Sequence, residues 1–93
     1  MSAYVVIEFT VKDPNVIRDD YTPTAVQTVK AYGGEPLVNS NWENLDGEPT
    51  LTQGAMIRFP DHEAALAWYG SREYQQLIDI RRVGMDARFS LIG

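Results

Sequence analysis

The order of apolar runs along the 93 residues predicts an α+β fold of the split βαβ kind: a four-stranded antiparallel sheet, order 4-1-3-2, with helices over one face. Three observations carry this. Four runs rich in β-branched and aromatic residues are separated by stretches of helical period. A hairpin-type dipeptide, Asp46-Gly47, joins the second run to the third. The first and third runs each lead into a helix start, Asp13-Pro14 and Pro60-Asp61.

Ala3–Val11 reads as the first strand, with Val5, Ile7, Phe9 and Val11 on one face and Tyr4, Val6, Glu8 and Thr10 on the other. Asp13 supplies a cap and Pro14 a first helical position. The helix that follows carries Val16, Ile17, Tyr21, Val26, Val29 and Tyr32, with Pro23 predicting a kink or short break near Asp20–Pro23. Gly33-Gly34 ends it. Pro36–Leu45 is expected as the second strand, Asp46–Thr50 as a loop and Gln53–Phe59 as the third strand. Asp61–Tyr69 reads as a helix stopped by Gly70. Ser71 caps another, Arg72–Val83, stopped by Gly84, and Asp86–Ile92 is the last strand.

The two faces of this sheet differ in an informative way. Val5, Ile7, Phe9, Ala55, Ile57, Phe59, Phe89 and Leu91 should face the helices. Tyr4, Val6, Glu8, Met56, Arg58, Arg88 and Ile92 fall on the other side, too apolar a set for open water. A second copy of the sheet is the economical cover, so a homodimer is expected.

Composition narrows the function classes. The absence of cysteine excludes a disulfide scaffold, a zinc–thiolate site and a thiol nucleophile. One histidine, His62, is too few for a histidine-rich metal site. A net charge of −5 is a poor footprint for nucleic acid or an anionic membrane. The N-terminal apolar run is cut by Glu8 and has no basic leader, so neither a signal peptide nor a membrane span is expected and a cytoplasmic location is. There is no Gly-rich phosphate loop and no Gly-x-Ser-x-Gly elbow. Neither a cofactor nor a metal is predicted, and the 93 residues read as one domain.

At Phe59-Pro60, Glu63-Ala64-Ala65, Ala67-Trp68-Tyr69, Ser71 and Glu73-Tyr74-Gln75 the sequence resembles the family known as domain of unknown function 1330. Ala3-Tyr4-Val5, Asp13-Pro14, Tyr32-Gly33-Gly34 with Leu37-Val38, and Arg88-Phe89 fit the same family, so the resemblance spans the chain. It implies a ferredoxin-like domain that pairs into a dimeric α+β barrel, within a superfamily that includes cofactor-independent monooxygenases and isomerases. The chain departs from the family pattern at three places. Glu35 and Asn39 stand where arginines are expected, and Arg58 stands where an acidic residue is common.

The candidate site residues fall into two sets. Tyr74 and Arg81 lie seven residues apart on one helix face with Leu77 and Ile78, where an arginine must snorkel, pair with a carboxylate or meet an anion. Trp68 shares the aromatic cluster with Tyr69 and Tyr74, which serves either as core or as the rim of a pocket. Glu8, Arg58 and Arg88 form the second set, either a register-fixing ion-pair network or an anion-accepting cavity. His62, beside a helix cap, reads as an exposed first-turn residue. No catalytic residue stands out. The expected activity is therefore binding of a small carboxylate or aromatic metabolite, with cofactor-independent oxygenation or isomerisation of a small, partly apolar substrate as the alternative.

Overall fold

In a computed structural model, which describes residues 1–48 and 50–93, four strands form one antiparallel sheet in the order β2-β3-β1-β4. The strands are β1 (Ala3–Val11), β2 (Glu35–Asn41), β3 (Gln53–Phe59) and β4 (Met85–Ile92). Between β1 and β2 lie α1 (Pro14–Val16), a π-helical turn (Ile17–Tyr21) and α2 (Thr22–Ala31). Between β3 and β4 lie α3 (His62–Tyr69), α4 (Arg72–Gln75) and α5 (Ile78–Gly84). The expected topology is the one observed. Among the described residues no helix is long and apolar enough to cross a membrane.

The register places the two predicted faces as the alternation requires. Val5 lies between Ile57 and Leu91, and Ile7 between Ala55 and Phe89, all on the helix side. Tyr4 lies between Arg58 and Ile92, and Val6 between Met56 and Ser90, on the side that no helix covers. Trp42, just past β2, lies on this open side over Gly54. A Cβ at residue 54 would stand 2.4 Å from the indole, so only glycine admits that contact.

Three local readings need correction. The second strand ends at Asn41, not Leu45: Trp42 makes one last cross-strand bond, its N–H to the Thr52 carbonyl, and pairing stops there. The loop residue Pro49 lies outside the described residues. Arg72–Val83 is two short helices, with Leu77 donating its N–H to Tyr74 and re-starting the chain at Ile78. Of the kink or short break expected near Asp20–Pro23, no break occurs; the helical run continues through a widened turn at Ile17–Tyr21. Thr22 donates to the carbonyl of Ile17, five residues back. A proline at 23 has no N–H for the Asp19 carbonyl and would collide with it in a regular α-turn, so one extra residue in the turn absorbs the conflict without breaking the rod.

Packing between sheet and helices is aromatic. Phe59, Trp68 and Tyr74 are the largest fully buried side chains. The Trp68 ring centroid lies 5.3 Å from Phe59 and 4.4 Å from Tyr74. Gly84, expected only as a helix stop, also serves packing: a Cβ there would meet Ile17 Cδ1 at 2.5 Å.

Candidate functional site

The apolar faces of β1, β3 and α2 do not close completely on one another. They leave a partly open cavity of about 130 Å³, whose walls include Ile7, Phe9, Tyr21, Ala25, Val29, Ile57, Trp68 and Phe89 and whose rim carries the exposed Thr22, Pro36, Val38 and Asn39. No charged side chain lines it among the described residues. Trp68 is held in the wall by its indole N–H, which donates to the Thr28 hydroxyl at 3.0 Å; that hydroxyl donates in turn to the Ala25 carbonyl at 2.7 Å.

One residue of this wall, Tyr21, is also the end of a buried polar chain. Arg81, only 6% exposed, donates from Nη1 to the Tyr74 hydroxyl at 2.9 Å and lies 3.4 Å from that of Tyr69. The Tyr74 hydroxyl is 2.6 Å from that of Tyr21. The Arg81 guanidinium also lies 4.3 Å above the centroid of the Phe89 ring, a cation–π contact. No carboxylate reaches Arg81 within ion-pair distance among the described residues. Burial works against its charge, but the hydrogen bonds to Tyr69 and Tyr74 outweigh it and raise its pKa. Burial, with Tyr74 close by, pushes the Tyr21 phenol far above its usual range. Burial raises Tyr74 too, opposed in part by its bonds to Tyr21 and Arg81.

Arg81 does not line the cavity. Together with Arg88, Tyr69, Leu66 and Ser90 it lines a second, more open groove of about 370 Å³ along β4. Thus Trp68 belongs to the cavity and Arg81 to the groove, and Tyr74 joins them.

The second expected set lies partly across the sheet. Glu8 Oε2 is 3.8 Å from Arg88 Nη2, and that arginine donates to the Thr50 hydroxyl at 2.8 Å. Arg58 does not join them. It faces Tyr4 across β1, while Glu8 faces Gly54, and four residues along a strand amount to about 13 Å. Arg58 pairs with Glu35 on β2 instead. Two of the three departures from the family pattern thus answer each other: an acid where a base is expected meets a base where an acid is common. His62 is exposed, as expected, with Nδ1 2.8 Å from the carbonyl oxygen of Gly93.

Tyr21 is the residue that sequence reasoning passed over. It was legible only as an apolar helix position, and the one signal near it was Pro23, whose effect is to set the turn that carries it.

Sheet order, register and the helical layer define a ferredoxin-like α+β fold. The chain belongs to the family described as Domain of unknown function (DUF1330), which it matches over residues 2–93. No curated protein matches it. Among solved structures it is similar to a protein of unknown function from Rhodopseudomonas palustris (12% identity, TM-score 0.76), covering 98% of this chain and 80% of that one. It is similar also to SnoaB, a cofactor-independent oxygenase from Streptomyces nogalater (15% identity, TM-score 0.68), over 99% of this chain and 91% of that one. A dimeric ferredoxin-like protein of unknown function from Thermobifida fusca shares 8% identity at TM-score 0.60, covering 100% and 91%. At these identities the likeness is one of fold.

Proposed function

We propose that residues 1–93 act as a single domain that pairs through the open sheet faces into a homodimer, and that each subunit binds a small, largely apolar metabolite between sheet and α2. The observation that carries the binding reading is the uncharged cavity of about 130 Å³. An apolar cavity of roughly 150 Å³ is large enough to admit benzene, so the size fits a single ring or a short branched chain. Pairing is supported by the open face itself. Val38, Trp42 and Ile92 on it are 55%, 45% and 62% exposed, too much apolar surface to leave wet. The charges there already pair within the chain, Glu8 with Arg88 and Glu35 with Arg58, so covering them strands no lone charge. The dimeric relative from Thermobifida fusca supports the same reading.

A carboxylate does not suit the cavity, where its charge would be buried unpaired. The groove suits it better, because Arg81, which lines it, is buried without a carboxylate partner among the described residues. Turnover is the weaker reading. The oxygenase from Streptomyces nogalater supports it through fold, but no carboxylate or histidine lines the cavity to act as a base among the described residues.

Thermal unfolding with one-ring compounds and with small carboxylates tests these readings. Stabilisation by toluene is the expected result for the cavity. Stabilisation by benzoate that disappears in Arg81→Met is the expected result for the groove. If neither compound shifts the transition at millimolar concentration, the binding reading fails. Oxygen uptake on addition of a one-ring substrate would favour turnover instead.

A further inference from the structure

We infer that the Tyr21 hydroxyl is the group that recognises the cavity's ligand, and that it selects a neutral carbonyl oxygen: an aldehyde, ketone or quinone of one-ring size. The inference rests on the cavity being a ligand site. It comes from counting hydrogens along the buried chain. Arginine can only donate, so the Tyr74 oxygen is an acceptor towards Arg81. The contact between Tyr74 and Tyr21 uses one of the two phenolic hydrogens, and the other has no acceptor among the described residues.

Two arrangements are open to that spare hydrogen. If Tyr21 donates to Tyr74, the Tyr74 oxygen receives two donors, and its own hydrogen is left in a fully buried place without a partner. If Tyr74 donates to Tyr21, all donations run one way, from Arg81 through Tyr74 to Tyr21, and each bond strengthens the next. The spare hydrogen then sits on Tyr21, the one member of the chain that lines the cavity. Charge enters the chain at Arg81 and reaches the cavity only as a polarised, uncharged donor.

The backbone supports the assignment independently. Ile17 and Tyr21, the two ends of the π-helical turn, both line the cavity. The widened turn ahead of Pro23 therefore sets the walls of the cavity itself, and such turns recur at functional sites. Of the other polar side chains in the lining, Trp68 has its N–H bonded to Thr28, and Thr22 and Asn39 are solvent-exposed. A ligand oxygen inside finds Tyr21 as its buried donor, with no cation to neutralise a carboxylate.

The test compares cyclohexanone with methylcyclohexane, of similar shape but without an acceptor, and with cyclohexanecarboxylate, by methyl NMR titration. In the wild type both neutral compounds should bind and the carboxylate should not enter the cavity. Tyr21→Phe should leave methylcyclohexane affinity unchanged and weaken cyclohexanone about tenfold, the worth of one hydrogen bond between uncharged partners. Tyr74→Phe keeps Tyr21 but breaks its link to Arg81, and should weaken cyclohexanone by a smaller factor. An unchanged ratio of the two affinities in Tyr21→Phe would overturn the role of Tyr21 and leave the cavity reading standing. Failure of both neutral compounds to bind the wild type would overturn the cavity reading, and this one with it. Tighter binding of the carboxylate in the cavity would overturn the ligand class.

Discussion

Ala25→Leu should make this protein more stable, because it fills space that the fold leaves empty. Ala25 is 7% exposed, lies on α2 and lines the cavity of about 130 Å³. Leucine adds three carbons, worth about 2.4 kcal/mol at about 0.8 kcal/mol for each buried methylene. Against this stand about 0.5–1 kcal/mol of lost rotamer freedom and a few tenths for replacing the best helix former. The net gain is about 1–1.5 kcal/mol. For a domain of this size the midpoint of thermal unfolding should rise by roughly 5–10 °C. The assay is calorimetric melting of both proteins at one fixed subunit concentration, since dimerisation makes the midpoint concentration-dependent. The same substitution should abolish stabilisation by toluene. A midpoint lowered by a similar amount, the signature of overpacking, would show that α2 already closes on the sheet and that the cavity does not exist.

Two further outcomes follow from the same structure. Met56→Glu puts a carboxylate at the centre of the open sheet face, opposite Val6 and Val38. It should turn a sedimenting species of about twice 10.5 kDa into one of 10.5 kDa, while a wild-type monomer would refute the pairing. The buried phenols Tyr21 and Tyr74 have raised pKa values, so the folded state holds their protons after the unfolded chain has lost them. Their contribution is complete below about pH 10 and is lost as pH rises above it, at about 1.4 kcal/mol per pH unit for each phenol. Denaturant midpoints between pH 9 and 11.5 should fall increasingly steeply, and Tyr21→Phe should flatten that fall.

The sheet was legible because period-two alternation reports burial directly. Ala3–Val11 and Gln53–Phe59 are strands over those same residues, and both predicted faces are as read. The errors cluster where one side chain overrides local propensity. Trp42 packs its ring over Gly54, a contact twelve residues ahead that no periodicity encodes. Pro23 announced a disturbance, but whether it breaks, kinks or widens the helix depends on what the rod packs against. The ferredoxin-like fold and the family were within reach of sequence because the motif around Trp68 and Tyr74 is local. The site was only half legible. That Arg81 and Tyr74 share a helix face could be read from their spacing. That the chain continues to Tyr21, 53 residues away, requires the fold. Glu8 and Arg88 could be placed together by strand order, whereas Arg58 was lost to register, which a turn of uncertain length does not fix.

The central claim is that the space between β1, β3 and α2 receives a small ligand, and a toluene titration followed by methyl NMR tests it most directly. Saturable shifts confined to Val26, Val29, Ile57 and Met85, which line the cavity, are the predicted result. Shifts confined to Val6 and Ile92 on the open sheet face, or no saturable shift at all, would contradict it.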